Sequence, residues 1–308
     1  MKKLKIHFLN TIWSDAILLE SDNHFAMVDT GSNFYYPMIK EYLDNLHIKK
    51  LDFIILTHFH SDHYGNLEKI ISEYQVDSLY LKHYYGIEGS TGSGTKSDEE
   101  YVEGEILKYQ AILFACKNTK INYLDELDSN ETIIYLNNIP LELYDIKNRL
   151  FELYTNPDSE FYGQRRFSEN FNSIGIFINI NNNYIFLGGD VTCSKTDILA
   201  LKGLSLEMIN QIYQKHQIDH IDIYKTCHHG GGGTNTPELC QLIKAKYAII
   251  TNTNRWLDNY DTFDNLKNAK SDVEILQTDY YQYIFEIDTT INYQKIYKES
   301  LFITLKKD

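Results

Sequence analysis

The sequence contains few of the residues that cross-link small secreted proteins or delimit linkers. Only four of its 308 residues are cysteine and four are proline. The cysteines, Cys116, Cys193, Cys227 and Cys240, form no Cys-x-x-Cys pair and are too few to staple a chain of this length. We therefore expect buried free thiols in a reducing compartment. No proline- or serine-rich linker separates two self-contained patterns, which favours one domain over residues 1–308.

Long apolar runs are also missing. No stretch approaches the roughly 20 apolar residues that span a bilayer. The run from Ile6 to Leu9, which follows the basic start of the chain, is too short for the hydrophobic region of a secretion signal. The sequence therefore predicts a cytoplasmic protein with no membrane segment, and it indicates no obligate protein partner.

Positive charge is in deficit, because 29 lysines and arginines face 43 aspartates and glutamates, for a formal net charge of −14 at pH 7. Binding to a phosphate backbone requires a positive face. The charge therefore argues against a protein whose whole surface binds nucleic acid. A local basic groove stays open, and bound divalent cations would offset carboxylates at a site.

What the chain does contain is a dense set of metal-binding side chains directly after the buried-strand pattern of Leu51 to Leu56. Four potential ligands fall within six positions: His58, His60, Asp62 and His63. In an extended segment the two histidines of the His-x-His pair point to the same side, whereas the next two ligands fall where the chain turns and suit a second ion. A surface loop with Asp62 as a helix N-cap is the alternative. Four ligand types at His-x-His-x-Asp-His spacing, between a strand and a helix, are much more specific.

Three other strand patterns end in residues of the same chemistry: Asp29-Thr30-Gly31, Gly188-Gly189-Asp190 and Cys227-His228-His229. Each alone is as readily an ordinary turn. In the company of the histidine-rich segment, we interpret Asp29 as a carboxylate that hydrogen-bonds a ligand imidazole and fixes its tautomer. Asp190 is interpreted as a bridging metal ligand, and the paired histidines offer one further ligand.

Two segments carry less specific signals. Residues 86–118 are predicted to be an insertion. Its first part is rich in glycine, serine and threonine, is expected to be flexible and matches no phosphate-loop spacing. A helix is predicted from Asp98 to Cys116. Residues 148–172 are predicted to be a polar active-site loop. Arg165 and Arg166 lie in it among aromatic residues and could grip a phosphate or stack on a ring. They are equally well explained as solvated loop charges.

The succession of elements is strand-rich halves, each followed by helices, and ligand-bearing turns follow four separate strands. Such a pattern predicts an α/β protein in which two sheets pack together with helices outside.

Together these residues resemble the metallo-β-lactamase superfamily over nearly the whole chain. Asp29-Thr30-Gly31, the His-x-His-x-Asp-His segment, Gly189-Asp190 and His229 look like four of its five motif positions, in order. The resemblance implies an αββα sandwich of two mixed sheets flanked by helices. It also implies two divalent ions, one held by His58, His60 and Asp190 and the other by Asp62, His63, Asp190 and His229.

The family's third motif usually offers a histidine, and none lies between His83 and His216. Asn170 and Ser173 stand there instead, as in two similar branches: the lactamase-like domain of DNA-uptake competence channel proteins and the phosphorylcholine esterase of choline-binding surface proteins. The first ion is thus expected to be short of one protein ligand. His228 could replace His229, although the resemblance favours His229. Candidate substrate-binding residues are Arg165, Arg166, His228, Asn170 and Ser173.

Two cations about 3.5–4 Å apart can hold one hydroxide, lower its pKa towards about 7 and neutralise the non-bridging oxygens of a phosphodiester. The prediction is therefore a binuclear metal-dependent hydrolase that uses a metal-bridging hydroxide, with Asp62 and Asp190 as its catalytic carboxylates. Zinc is the default ion, while manganese or iron also suit histidine and aspartate. We expect a phosphoester-containing small molecule or a single-stranded nucleic acid as substrate.

Two alternatives remain open. One is a β-lactamase or lactonase that opens a cyclic amide or ester, and the other is a non-catalytic metal-binding sensing module. A nuclease would require Arg165, Arg166, Lys82 and Lys96 to form one basic rim beside the metals.

Overall fold

The computed structural model describes residues 2–89, 98–165, 167–192, 203–231, 233–253 and 261–298. One sheet contains β1 (Leu4–Phe8), β2 (Ala16–Ser21), β3 (His24–Thr30), β4 (Lys50–Ile55), β5 (Gln75–Leu81), β6 (Lys120–Tyr123), β14 (Tyr281–Ile287) and β15 (Ile291–Tyr297). Their order across the sheet is β15-β14-β1-β2-β3-β4-β5-β6. The pairings from β3 to β6 are parallel and the others are antiparallel.

The other sheet contains β7 (Glu131–Leu136), β8 (Ile139–Tyr144), β9 (Gly175–Ile180), β10 (Asn183–Leu187), β11 (Ile223–Lys225), β12 (Tyr247–Ile250) and β13 (Glu274–Gln277). Its strands run in the order β13-β12-β11-β10-β9-β8-β7. Pairings from β10 to β13 are parallel, and those from β7 to β10 are antiparallel.

Helices cover the outer faces of both sheets. Their bounds are α1 (Tyr36–Asn45), α2 (Ser61–Tyr64), α3 (Leu67–Glu73), α4 (Asp98–Ala115), α5 (Arg149–Thr155), α6 (Leu204–His216), α7 (Pro237–Ile243) and α8 (Thr262–Ala269). Single 3-10 turns occur at Asn33–Tyr35, Leu124–Glu126, Glu169–Asn172 and Cys227–Gly230. Within the described ranges, no helix has the length and apolar character to cross a membrane.

Three apolar clusters hold these layers together. The first lies between the sheets and joins residues such as Ile6 and Ile55 to Ile176 and Ile249. The second packs α1, α3 and α4 on the first sheet, and the third packs α6, α7 and α8 on the second. Because both faces of the central strands are covered, their sequences are nearly continuous apolar runs. The architecture is the αββα sandwich that the resemblance implies.

The arrangement of parallel strands determines where polar groups gather. Strands β3 and β4 of one sheet, and β10 and β11 of the other, run directly into Asp29, Thr57, Asp190 and the 227–230 turn. Ligand sites in α/β sheets lie outside the carboxyl ends of the strands. Here the carboxyl ends from both sheets deliver their side chains to a common edge, which the contacts described below demonstrate.

The structure differs from the sequence expectations at two strands and in one polar segment. Strands β6 and β15 were not predicted, because β6 has only four residues and β15 is a mostly exposed edge strand with no clear apolar face. The polar stretch 148–172 is not wholly a loop, since it contains α5 and the 3-10 turn at Glu169–Asn172. The helix expected from Asp98 to Cys116 is α4, whereas residues 90–97 of the predicted flexible part lie outside the described residues.

Gly65 lets the end of α2 approach the chain that follows β3. A Cβ at this position would lie 2.4 Å from the Ser61 carbonyl oxygen and 2.6 Å from the Asn33 amide nitrogen. The next residue, Asn66, donates from its side-chain amide to the carbonyls of Thr30, at 2.7 Å, and Ser32, at 2.8 Å. Gly65 and Asn66 therefore hold the segment after Asp29 against the segment that contains His58, His60 and His63.

We predict that Gly65→Ala lowers the free energy of unfolding by about 2 kcal/mol or more, because backbone atoms cannot move aside as a flexible side chain would. Urea titration followed by circular dichroism measures the effect. Gly104→Ala is the matched control, since a Cβ on that α4 glycine meets no atom within 4 Å. It should be neutral or stabilising by up to about 1 kcal/mol. Equal effects of the two substitutions would contradict the steric explanation.

Candidate metal centre

Four imidazoles converge on one carboxylate oxygen. Asp190 Oδ2 lies 3.4 Å from His63 Nε2, 3.6 Å from His229 Nε2 and 3.8 Å from the Nε2 atoms of both His58 and His228. Asp190 is only 1% exposed. Because these separations fit two ligands of a common ion better than a direct hydrogen bond, these side chains are candidate metal ligands.

One group of four donor atoms belongs to Asp62, His63, Asp190 and His229. His229 Nε2 lies 3.2 Å from Asp62 Oδ2, and His63 Nε2 lies 3.9 Å from the same oxygen. With the contacts to Asp190, the four donors are separated along these edges by 3.2–3.9 Å. A tetrahedral ion with bonds of about 2.1 Å has edges of about 3.4 Å. These four separations are close to that length, so Asp62, His63, Asp190 and His229 are candidate ligands of one divalent ion.

A second group lies beside the first. His58 Nε2 is 3.0 Å from His60 Nδ1, and the same His58 nitrogen is 3.8 Å from Asp190 Oδ2. The His-x-His pair therefore presents two ring nitrogens next to the carboxylate that the first group also uses. This arrangement offers three donors for another ion, with Asp190 common to both.

Unpaired buried atoms test whether the residues suit a metal. Among the described residues, His63 Nε2 and Asp190 Oδ1 are both buried without a hydrogen-bond partner. An unsatisfied buried polar atom costs about 1–3 kcal/mol, and more when the group is charged. Coordination would satisfy the imidazole nitrogen and offset the buried carboxylate, so the donor set fits divalent cations of the kind that histidine and aspartate bind.

Asp29 lies behind His63. Its Oδ2 is 2.7 Å from His63 Nδ1, while the Thr57 amide and hydroxyl each donate to its carboxylate at 2.8 Å. Asp29 is in the left-handed region, with φ of 56° at the end of β3. Asp29 therefore contacts the Nδ1 side of His63, and a hydrogen bond there would leave Nε2 bare for a metal.

Asp15 is a residue that the reasoning from ligand motifs missed. Ligand atoms of Asp15, His63, Asp190 and His229 all lie within 4.8 Å of one another. However, Asp15 Oδ1 accepts from Thr251 Oγ1 at 2.6 Å and lies 3.1 Å from His229 Nδ1, while its Oδ2 pairs with Lys225 Nζ. Because its oxygens are engaged on the far side of the His229 ring, we interpret Asp15 as orienting that ring.

Electrostatics within the site link metal binding to proton release. Burial opposes ionisation of Asp190, yet His229 and His63 hold the pKa of its carboxyl well below its ordinary value. Burial likewise opposes protonation of His229, but Asp190 and Asp15 raise its pKa to about 9. Burial and the neighbouring His63 lower the pKa of His58 well below its ordinary value. A metal must therefore displace protons from some ligands, which makes binding pH-dependent.

The two consecutive histidines occupy different environments. Both adopt left-handed backbone conformations, with φ of 49° at His228 and 53° at His229. The His229 side chain is fully buried, whereas the His228 side chain is 28% exposed and its Nε2 lies 3.4 Å from Asn170 Nδ2. Trp13 contacts both rings edge-on, at centroid distances of 6.2 and 5.8 Å. His229 therefore lies within the donor group, and His228 lies at its accessible side.

The remaining predicted residues are dispersed. Ser173 is buried, and its hydroxyl accepts from the Asp190 amide at 3.2 Å, so it holds the backbone of that ligand. Arg165 is exposed, and Arg166 lies outside the described residues, as does Lys96. Lys82 is buried and donates to the Lys147 carbonyl at 2.8 Å. Lys82 therefore cannot contribute to a surface basic rim.

Glu169 is a buried carboxyl next to Asn170. It is 4% exposed, and Asn172 Nδ2 lies 3.1 Å from each of its oxygens. Burial, and then the charge of Glu88, raise the pKa of Glu169 to about 8. The folded state therefore keeps this carboxyl protonated at pH values where an unfolded chain ionises it.

Comparisons with known proteins bear on the fold. Residues 14–130 match the family model described as the Metallo-beta-lactamase superfamily. The chain is similar to the structure of the metallo-β-lactamase fold protein YhfI from Bacillus subtilis, with 12% identity, a TM-score of 0.50 and coverage of 93% of this chain and 100% of that one.

Two further solved structures are similar at lower scores. One is a diphosphatase from the PhnP family, with 14% identity, a TM-score of 0.44 and coverage of 97% of this chain and 99% of that one. The other is MEM-A1, a subclass B3 metallo-β-lactamase from a soil metagenome library, with 12% identity, a TM-score of 0.40 and coverage of 73% and 80%. No curated protein matches the sequence.

We predict that His229→Ala weakens the binding of one ion by more than about 100-fold. Loss of a residue that only hydrogen-bonds a ligand typically weakens metal binding by about 10–100-fold, and loss of a ligand itself should have a larger effect. His228→Ala, the adjacent control, should retain both ions. Zinc titration followed by calorimetry, with metal content measured after dialysis, distinguishes the two variants. Loss of an ion from the His228 variant, with retention in the His229 variant, would reverse the ligand assignment.

A second prediction concerns pH. Because folding raises the pKa of Glu169 from its ordinary 4.5 to about 8, the folded state binds more protons between these values, and this contribution to stability is lost as pH rises through the interval. Glu169→Gln should therefore stabilise metal-free protein by roughly 2–4 kcal/mol at pH 9 relative to pH 5. Exposed Glu160→Gln is the control and should show no such pH dependence in urea titrations. Parallel pH profiles for the two variants would contradict the prediction.

Proposed function

We propose, from the premise that this chain carries a metallo-β-lactamase superfamily domain, that it is a hydrolase of phosphodiesters that works with two divalent metal ions. The convergence of imidazole Nε2 atoms on Asp190 Oδ2 is the observation that carries the proposal. Zinc is the default occupant, and manganese or iron would suit the same donors.

The ligand assignment follows the two donor groups. Asp62, His63 and His229 would hold one ion, His58 and His60 would hold the other, and Asp190 would contribute to both. The first group has four protein donors, with four of their separations between 3.2 and 3.9 Å, and the second has three donors. An incomplete set of protein ligands is typical of catalytic sites, because a position stays open for water or substrate.

The bound ions would supply Lewis acidity and an activated water as nucleophile. The chain's own residues would position these ions. Asp190, held through its amide by Ser173, keeps its carboxylate between the two donor groups. Asp62 is the more accessible carboxylate, with 32% of its side chain exposed. No side-chain nucleophile is required.

His228 and Asn170 lie where a substrate would enter. Burial lowers the pKa of His228, although Asp190 acts in the opposite direction. The ring is therefore neutral at pH 7 and has one N–H to donate. Asn170 Oδ1 is a buried acceptor without a partner among the described residues. The pair can bind a substrate oxygen and an adjacent hydroxyl without adding net charge.

Charge considerations favour a small phosphoester over a nucleic acid. The net charge is −14, and Lys82, one of the four residues that a basic rim would need, is buried against Lys147. Binding of a polymeric phosphate backbone depends on several such cations. A single phosphodiester needs only the metal ions and a few polar groups.

We predict that zinc-, manganese- or iron-loaded protein hydrolyses bis(p-nitrophenyl) phosphate, and that Asp190→Asn lowers kcat/KM by about 10³-fold or more, since several kcal/mol of charge stabilisation are lost. Release of p-nitrophenolate measures the rate. Asp158→Asn, an exposed carboxylate of the 148–172 segment, is the control and should retain full activity.

Absence of turnover with all three metals would exclude a general phosphodiesterase. Lactones and lactams would then be the next substrates to assay, and metal binding without any turnover would favour a sensing module.

A further inference from the structure

Glu88 is a fully buried carboxylate that the ligand set does not use. It lies at the start of the glycine-rich segment and is 0% exposed. A charged group in such a position requires a partner, because removing a carboxylate from water costs several kcal/mol. Its two oxygens face different partners, His60 and Tyr84.

The contact with His60 determines which ring nitrogen is available. His60 Nε2 lies 3.2 Å from Glu88 Oε2, while His60 Nδ1 lies 3.0 Å from His58 Nε2, on the side of the metal ligands. A carboxylate only accepts hydrogen bonds, so Nε2 must carry the proton. Nδ1 of a neutral ring is then bare and free to bind a metal ion.

Glu88 is itself held in place. Tyr84 donates its hydroxyl to Glu88 Oε1 at 2.7 Å. The Gly89 amide donates to the Phe167 carbonyl at 2.9 Å. Gly86 has a φ of 63°, and a Cβ there would lie 2.7 Å from Ile106 on α4. The backbone on both sides of Glu88 is thus packed against neighbouring segments, which fixes the direction of its side chain.

We propose that Glu88 is a positioning residue for the ion that His58 and His60 bind: it selects the Nε2–H tautomer of His60 and presents Nδ1 to the metal. This inference rests on the proposed two-ion function. It explains how a donor group with only three protein ligands keeps its geometry, because one of those ligands is oriented by a buried charge.

The same relation recurs at the other ion. His63 has Asp29 behind its Nδ1 at 2.7 Å, and His229 has Asp15 behind its Nδ1 at 3.1 Å. In both cases the carboxylate meets Nδ1 and leaves Nε2 for the metal. Glu88 reverses the pattern, since it meets Nε2 and leaves Nδ1. Outer partners of this kind typically change metal affinity by about 10–100-fold.

The test compares Glu88→Gln and Glu88→Ala with Glu105→Gln. Gln keeps the size of the side chain but removes its charge, and its amide can accept from or donate to the ring, so the tautomer preference is lost. Glu105 is a matched control because its carboxylate accepts from the Tyr64 hydroxyl, as Glu88 does from Tyr84. Its charge also acts on His60, but among the described residues it makes no hydrogen bond to an imidazole, so Glu105→Gln removes a nearby charge without removing a contact to the ring. Circular dichroism and thermal melting establish that each variant is folded.

Zinc calorimetry gives the first measurement. We expect both Glu88 variants to lower the affinity of one ion by about 10–100-fold and leave the other unchanged, with Glu105→Gln equal to the parent protein. Long-range ¹⁵N–¹H spectra of histidine in metal-free protein, at a pH above the imidazole titrations, give the second. His60 should be the Nε2–H tautomer in the parent and a tautomer mixture in Glu88→Gln.

These measurements separate the two proposals. Unchanged zinc affinity and an unchanged His60 tautomer in the Glu88 variants would overturn the role of Glu88. Selective loss of one ion, in a parent protein that binds two ions but hydrolyses no phosphodiester, would support Glu88 and overturn the proposed function. If the parent binds fewer than two ions, the two-ion function fails and the tautomer spectra alone decide the role of Glu88.

Discussion

A buried negative charge, the carboxylate of Asp190, is the constraint on which the rest of the site depends. It is 1% exposed, and four imidazoles approach its Oδ2 within 3.8 Å. In the absence of metal, protonated imidazoles balance this charge, as the raised pKa of His229 indicates. Divalent cations would replace those protons, so the same arrangement of side chains would serve the metal-free and the metal-bound protein. Metal binding would then be coupled to proton release.

Rigid supports surround these ligands. Asp29 takes two hydrogen bonds from Thr57, and Asp15 is fixed by Thr251 and the buried Lys225. Lys225 also donates to the Gly189 carbonyl at 3.2 Å. This contact links the Asp15–Lys225 ion pair to the backbone that precedes Asp190. Left-handed conformations at Asp29, His228 and His229 cost about 1–3 kcal/mol each. Such strain persists only where surrounding contacts hold the backbone in place, and the hydrogen bonds and the ion pair above are contacts of this kind.

The sequence was most informative where several ligand types lie close together in the chain. The His-x-His-x-Asp-His spacing predicts one ion for His58 and His60 and a second for Asp62 and His63. In the structure His58 Nε2 lies 3.0 Å from His60 Nδ1 and His63 Nε2 lies 3.9 Å from Asp62 Oδ2, while the rings of His58 and His63 adjoin, with centroids 4.1 Å apart. Isolated residues were harder to interpret. Asp15 and Glu88 each stand alone in the sequence, so no spacing distinguishes them from ordinary acidic residues. Ser173 and Lys82, considered for substrate contacts, are buried and bond to the backbone instead.

From the sequence alone, the pattern of apolar strands, the helices between them and the ligand-bearing turns determined the class of fold and the kind of chemistry that the chain can support. These properties depend on local periodicity and on residues within a few positions of each other. Only the tertiary structure decided which carboxylate meets which imidazole, because Asp15 and His229 are 214 residues apart and Glu88 and His60 are 28 apart. Sequence spacing carries no information about such contacts. They arise when two sheets pack with the carboxyl ends of their parallel strands at one edge.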